Sequence, residues 1–491
     1  MSRRKKTDAR TVKIEAVEDA APVAHHDDGA THHVDGYTTG TRALVLVPQP
    51  PRGRRFHSNK MVAEDTPTPP PLHSADDRRE EAIGLAQAID LEIVGSLVIP
   101  LASPRPATLL GTGKVEEIAK LVKADRITLV VVDHPLTPIQ QRNLEEAWMA
   151  KVLDRTGLIL EIFGRRAQTR EGRLQVELAH LTYQKSRLVR AWTHLERQRG
   201  GAGFLGGPGE SQLELDRRMI QDKIDILKKD IVQVVRTREL NRANRRKVPY
   251  KIVAIVGYTN AGKSTLFNRV TGASVLAKDQ VFATLDPTMR EVKVAPGRKI
   301  ILSDTVGFIS DLPTMLVAAF RATLEEVIEA SLILHVRDIA HPETDAQAMD
   351  VRSVLRDLGV DPDAAETRML EVWNKIDRVE PDRRAELAAE ARRQDLPPIL
   401  VSAVTGDGVD QLLAAVNAML GADDDEMTVT LGPSAGKFMH WLHANTEIVE
   451  QKTGKSGDTR FRIRIAPDKR GRLEHQAREA GAKIAKPRGA A

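Results

Sequence analysis

The octapeptide Gly257-Tyr258-Thr259-Asn260-Ala261-Gly262-Lys263-Ser264 combines residue types whose joint chemistry is phosphate binding. An apolar run over 252–256 precedes it, and an amphipathic segment with Leu266, Phe267 and Val270 follows. It therefore reads as the loop between a strand and a helix. Gly-x-x-x-x-Gly-Lys-Ser in that setting is a P-loop. Gly257 and Gly262 let the backbone wrap close enough for its N–H groups to meet phosphate oxygens. Lys263 is spaced to reach the β- and γ-phosphates, and the Ser264 hydroxyl to ligate Mg²⁺.

Further motifs fall in the order a nucleotide domain requires. Asp304-Thr305-Val306-Gly307 closes an extended stretch over 299–303. Asp304 is suited to hold Mg²⁺ through water, and the Gly307 N–H to bond a γ-phosphate oxygen. Asn374-Lys375-Ile376-Asp377 follows extended residues 369–373. The Asp377 carboxylate matches the N1–H and 2-amino group of guanine, which adenine lacks, and the Lys375 stem can cover the base face. Ser402-Ala403-Val404 ends another apolar strand, where a backbone N–H can meet guanine O6. Together these imply GTP, held at the carboxyl ends of a doubly wound α/β sheet spanning 250–421. Phe282-Ala283-Thr284-Leu285-Asp286-Pro287-Thr288 is the candidate first switch. Thr284 and Thr288 are both chemically able to complete a Mg²⁺ shell when γ-phosphate is present. Phe308 stands where many GTPases carry a water-orienting glutamine, which predicts slow intrinsic hydrolysis.

The whole chain must position these groups. At 491 residues it is long enough for roughly three domains. No apolar run approaches the roughly eighteen residues of a membrane span. The basic start Met-Ser-Arg-Arg-Lys-Lys is not followed by an apolar segment, so no secretion signal is expected. With no cysteine, disulfides and thiolate metal sites are excluded and a cytoplasmic address is expected. A net charge of +5 is compatible with a nucleic-acid partner without demanding one.

In chain order, residues 1–75 are expected to be a disordered tail, rich in Arg, Asp, His, Pro and Thr. The pairs His25-His26 and His32-His33 fit a solvated segment better than a metal site. Residues 76–166 alternate helix and strand and imply an N-terminal α/β domain with a partly parallel sheet. Its Gly111-Thr112-Gly113-Lys114 lacks the remaining P-loop positions, because Thr108 and Val115 stand there; a glycine turn opening a helix is the better reading. Residues 167–249 carry two apolar seams. One comprises Leu174, Leu178, Leu181, Leu188, Trp192 and Leu195 with Lys185 at the skipped position; the other, Ile220, Ile224, Leu227, Ile231 and Val234. They imply a long antiparallel helical hairpin with arms of about 25 residues, or roughly 38 Å. Arginines and lysines off the seams outnumber acids, favouring a phosphate backbone as partner. The glycine-rich tip, 199–210, can press its backbone against a partner while Phe204 stacks on an unpaired base.

This hairpin ahead of a G domain with Phe-Ala-Thr-Leu-Asp at 282–286 and Asp-Thr-Val-Gly-Phe at 304–308 resembles the HflX family of ribosome-associated GTPases, over residues 76–425. The resemblance implies binding to the 50S ribosomal subunit as a monomer. Arg199, Gly200, Gly201, Gly203, Phe204, Leu205, Gly206, Gly207 and Gly209 would lie near the peptidyl-transferase region of 23S rRNA. It implies that the GTP form separates stalled or idle 70S ribosomes and that hydrolysis frees the factor. It also makes Thr284 the Mg²⁺-binding threonine, beside Ser264, and places Phe282, Ala283, Thr284, Leu285 and Asp286 against nucleotide. Lys263, Thr284 and Gly307 then form the catalytic set. Two departures stand out: the tail to residue 75, and Arg337, which interrupts the apolar strand 332–336.

An acidic linker, Asp423-Asp424-Asp425-Glu426, leads to a small α+β C-terminal domain over 427–491. Its alternating Arg460-Phe461-Arg462-Ile463-Arg464-Ile465 reads either as a solvated edge strand or as a second RNA or ribosomal-protein contact. Two other functions stay open on these residues: a ribosome-assembly or RNA-modification GTPase, and an RNA-remodelling module using ATP at 76–166.

Overall fold

The computed structural model describes residues 40–49, 54–57, 60–63, 73–198, 208–245, 251–272, 282, 288–295, 298–313, 324, 326–364, 367–421, 424–432, 435–454, 458–465 and 467–485. Two compact units make up the chain: Met1–Arg166 with Val176–Lys228, and Ala167–Gln175 with Lys229–Ala491.

The first unit begins earlier than the sequence suggests. Strand β1 (Arg42–Gln49) is followed by a short antiparallel pair, β2 (Arg54–His57) and β3 (Lys60–Ala63), and then by β4 (Glu92–Pro100), β5 (Leu129–Val132) and β6 (Lys151–Asp154). The sheet order is β4-β1-β5-β6, with every pair parallel. The expected tail over 1–75 is therefore corrected at 42–49. Ala43-Leu44-Val45-Leu46-Val47 is a continuous apolar run because a central parallel strand is covered on both faces and shows no alternation. Helices α1 (Ala75–Gln87), α2 (Thr112–Ala124), α3 (Pro138–Trp148) and α4 (Arg155–Arg166) accompany this sheet. Gly111 is the N-cap of α2, and Lys114 Nζ holds Glu117 at 2.9 Å, so the Gly-Thr-Gly-Lys stretch is a helix start.

Helices α5 (Arg170–Gln198) and α6 (Pro208–Arg245) run for 29 and 38 residues, longer than the expected arms. Along α6 the predicted seam holds: Ile224 and Leu227 are buried, with half-buried Ile220, Ile231 and Val234 flanking them. Along α5, Leu174, Leu178, Leu181 and Leu188 are only half-buried, while Val176 and Ala179 are buried. The reason is that α5 serves two partners. Lys185, at the skipped seam position, donates to Gln221 of α6. Tyr183 and Arg187 instead reach Asp154 at the end of β6, the guanidinium at 2.6 Å. Burial beside that carboxylate pushes the Tyr183 phenol far above its ordinary value.

The second unit is built on β7 (Lys251–Gly257), β8 (Thr288–Ala295), β9 (Arg298–Asp304), β10 (Leu332–Asp338), β11 (Met369–Asn374) and β12 (Ile399–Leu400). Their order is β12-β11-β10-β7-β9-β8, parallel except for β8. Helix α7 (Lys263–Thr271) packs Leu266 and Phe267 into one core with Val253, Leu334 and Val372. Helices α8 (Thr344–Asp357), α9 (Pro381–Ala391) and α10 (Val409–Leu420) follow. Arg337 does not end β10, which continues to Asp338. Its guanidinium donates to Glu371 at 2.9 Å and to Asp345, and lies 5.9 Å from the Trp373 ring centroid. Although burial opposes it, Arg337 and His335 help hold the Glu371 carboxyl down to about 2. A charged residue is thus accommodated in the strand by two carboxylates and the buried Trp373 ring.

The C-terminal strands β13 (Asp425–Leu431), β14 (Glu447–Thr453), β15 (Thr459–Ile465) and β16 (Lys483–Ala485) pair antiparallel in the order β14-β15-β13-β16. Helices α11 (Gly436–Asn445) and α12 (Arg470–Glu479) cover one face through Phe438, Leu442 and Leu473, against Phe461, Ile463 and Ile465. The edge-strand reading of 460–465 is corrected, because β15 is interior. Arg462 on its other face lies 3.3 Å from Glu426 and 3.9 Å from Glu450. The acidic linker is corrected as well. Asp425 and Glu426 open β13, and Asp424 is buried against Arg298 of β9. With side chains only 14% and 2% exposed, Arg298 and Asp424 form an ion pair shielded from water. Burial pulls the Arg298 value down and the nearby Glu447 raises it. Removing one partner of such a pair strands a buried charge, so Arg298→Ala should destabilise this unit by about 3 kcal/mol in urea unfolding. The double variant with Asp424→Ala should lose less than the sum of the two single changes.

Candidate nucleotide site

The P-loop is held open by geometry that only glycine satisfies at its ends. Gly257, at the end of β7, has φ +155°, and a Cβ there would lie 2.2 Å from the Val336 carbonyl. Gly262 has φ +90°, and its Cβ would lie 2.3 Å from Asn374 Nδ2. Between them Asn260 takes the left-handed conformation at φ +58°, which asparagine tolerates. Lys263 begins α7, and its Nζ donates to the Tyr258 carbonyl at 2.7 Å. The amine is buried, which pushes it down to about 8; Asp304 opposes the shift and Lys375 adds to it. A lysine whose charge the fold disfavours is poised to gain from a phosphate.

Beside it, Ser264 Oγ donates to Asp304 Oδ2 at 2.7 Å, and Asp304 is wholly buried. A hydroxyl and a buried carboxylate are hard oxygen donors, few in number, as Mg²⁺ uses when phosphate and water complete its shell. The residues fit that ion. Gly307 sits against the same lysine, since a Cβ there would lie 3.0 Å from Nζ. Thr305 Oγ1 donates to the Ile255 carbonyl at 2.6 Å, fastening β9 to β7 behind the loop, and Val306 is buried.

The base-side motifs arrive at the same rim. Asn374 Nδ2 donates to the Ala261 carbonyl at 2.8 Å, and its Oδ1 accepts the Ala403 N–H at 3.0 Å. One side chain thus ties together the P-loop, the end of β11 and the loop after β12. Ile376 N–H donates to the Val401 carbonyl at 3.3 Å, and Ser402 is fully buried. Lys375 adopts φ +64°, with its Nζ 2.7 Å from Asp338, and Asp377 is exposed. Asp338 was not legible as part of this rim, because nothing local in sequence links β10 to residue 375. Neither was the Tyr258 hydroxyl, which accepts the Ser310 N–H at 2.9 Å.

Phe282 is buried and Thr288 opens β8 opposite Asp304. Ala283, Thr284, Leu285 and Asp286 lie outside the described residues. So do Arg199, Gly200, Gly201, Gly203, Phe204, Leu205, Gly206 and Gly207 of the tip; Gly209 belongs to the first turn of α6. Phe308 is 1% exposed, its N–H bonded to the Gly257 carbonyl at 3.1 Å and its carbonyl accepting from Thr259 at 2.7 Å. The side chain is part of the core. Phe308→Gln should therefore leave single-turnover hydrolysis within about two-fold, because a buried amide gains no route to water. Burying that amide should cost about 2 kcal/mol in denaturant unfolding.

Family models match the chain in tandem: GTP-binding GTPase N-terminal over 76–164, GTP-binding GTPase middle region over 166–245, 50S ribosome-binding GTPase over 252–375, and HflX C-terminal domain over 387–486. A GTPase HflX of Magnetococcus marinus is 50% identical over 405 residues, 82% of this chain and 92% of its own. A GTPase HflX of Escherichia coli is 43% identical over 387 residues, 79% of this chain and 89% of its own. Among solved structures, a GTP-binding protein of Sulfolobus solfataricus in complex with GDP is 22% identical, covering 77% of this chain and 98% of its own with a TM-score of 0.40. With its G-domain motifs gathered at one rim and most of its length matched, the chain belongs to the HflX family of GTPases.

Proposed function

We propose that the chain is a nucleotide switch for the large ribosomal subunit: its GTP form binds 50S, separates stalled or idle 70S particles, and hydrolysis releases it. The match of residues 252–375 to a 50S ribosome-binding GTPase supports the partner and carries this reading. The hairpin tip, Arg199 to Gly209, contacts 23S rRNA near the peptidyl-transferase region, and the protein acts as a cytoplasmic monomer. Among the described residues no helix is long and apolar enough to cross a membrane.

The chemistry is in-line attack of water on the γ-phosphate, with GDP leaving. Lys263 and the Gly307 N–H stabilise the charge that builds on the transferring group. Ser264 and Thr284, with Asp304 through water, would hold Mg²⁺, which would offset phosphate charge. Asp377 accepts from guanine N1–H and the 2-amino group. Because Phe308 cannot orient water, the bound subunit supplies what completes the site.

Pelleting with purified subunits tests the partner. The chain with a non-hydrolysable GTP analogue should sediment with 50S and not 30S, and deletion of 200–207 should abolish this while nucleotide affinity is kept. Sedimentation only with precursor particles would favour the assembly role instead.

A further inference from the structure

The carboxylate of Asp154, at the end of β6, is 2% exposed and accepts four hydrogen bonds. Two come from the N-terminal domain itself: the Leu136 N–H at 3.0 Å and the Gly157 N–H, in the first turn of α4, at 2.8 Å. Two come from the hairpin: the Tyr183 hydroxyl and, at 2.6 Å, Arg187 Nη2. Each carboxylate oxygen takes one bond from each side. A buried carboxylate is tolerated only when its acceptor sites are filled, and neither side fills them alone.

The seat for α5 is shaped as well as charged. Val176, Ala179, Tyr183 and Arg187 follow at spacings of three and four residues and share one face of the helix, the first two buried. The Arg187 guanidinium lies 4.2 Å from the Tyr183 ring centroid, and its Nη1 donates to Gln141 of α3. Gln141 in turn donates to the Val152 carbonyl of β6 at 2.8 Å. Gly157 leaves the phenol its place: a Cβ there would lie 3.2 Å from the Tyr183 oxygen and 2.8 Å from Leu153 Cδ1. Beyond this seat α5 is a lever. Residues 188–198 carry it roughly 16 Å past Arg187, so a swing of about 10° moves its end by about 3 Å, as far as a hydrogen bond is long.

We propose that Asp154 is a positioning residue for the hairpin: it fixes the direction in which α5 leaves the N-terminal sheet, and so where the hairpin meets its partner. Helix α6 follows, because Lys185 of α5 donates to Gln221. Only the identity of that partner rests on the ribosome reading above.

The chain has no cysteine, so Lys120→Cys on α2 and Asp216→Cys on α6 would carry the only spin labels. Electron–electron distance measurements on the full chain should give one narrow distribution. Asp154→Asn, by removing charge, and Gly157→Ala, by crowding the phenol, should each widen it at least about two-fold. Tyr183→Phe, which leaves Arg187 on the carboxylate and is the mildest change to the fold, should lie between. In Asp154→Asn the affinity for 50S with a non-hydrolysable GTP analogue should fall about ten-fold, while affinity for the analogue itself stays within about two-fold. Unchanged distributions in all three variants would overturn the proposal. So would a widened distribution with unchanged 50S affinity, or an equal loss of analogue affinity, which would make Asp154 a general stability residue. A wild-type chain with one narrow distribution that does not bind 50S would instead overturn the ribosome reading.

Discussion

Lys263→Ala lowers GTP turnover by at least about 100-fold while the fold of the nucleotide domain is retained. The loss follows from removing a preorganised positive charge where negative charge develops in the transition state. Retention of the fold follows from the environment of the amine. Burial holds it down to about 8, so the folded, nucleotide-free protein bears a cost of roughly 3 kcal/mol for keeping that charge at neutral pH. Alanine removes this cost along with the function. Single-turnover hydrolysis and urea unfolding of the variant separate the two effects: a rate within ten-fold of wild type would contradict the assignment, whatever the stability.

The same amine gives a pH signature with a definite sign. Its value in the fold is lower than in the unfolded chain, so the cost is fully present below about 8 and is relieved as pH rises from there toward the ordinary lysine value. The nucleotide-free protein should therefore gain stability over that window. Phosphates favour the charged form, so GTP binding takes up a proton above pH 8 and affinity should fall by up to about ten-fold per pH unit. Nucleotide affinities measured between pH 7 and 9.5 test this, and the contribution should vanish in Lys263→Ala.

Asp377→Asn weakens GTP binding by about 100-fold or more and creates affinity for XTP. A carboxylate accepts two hydrogen bonds from guanine, each strengthened by charge and together worth about 3 kcal/mol or more. The amide loses the charge and turns one acceptor into a donor against the 2-amino group. Xanthine carries an oxygen at that position, which the amide N–H can meet. Exposure of Asp377 makes the variant safe to fold. Titration with GTP, XTP and ATP decides the matter: equal weakening of GTP and XTP would remove Asp377 from base recognition.

The nucleotide motifs were legible because each is a short, fixed spacing at a strand end, and the structure gathers those it describes through Asn374, Lys263 and Asp304. What escaped sequence reading had no local signal. Strand β1 hides among Pro- and His-rich segments, and its uninterrupted apolar run carries no period to set it apart. Asp424 looked like linker charge because its partner, Arg298, lies 126 residues away. Val176 and Ala179 on α5 were overlooked because a heptad assumes one partner, whereas that helix also answers to Asp154. Arg337 looked misplaced until Glu371 and Trp373 were beside it.

The central claim is tested most directly by sedimenting purified 70S ribosomes through sucrose gradients with the chain and a non-hydrolysable GTP analogue, beside GDP as control, while 50S-stimulated GTP hydrolysis is measured in parallel. With the analogue alone, 70S should convert into 30S and 50S peaks with the factor in the 50S fraction, and 50S should raise hydrolysis. Intact 70S peaks with no stimulation by 50S would contradict it and leave a GTPase whose partner lies elsewhere.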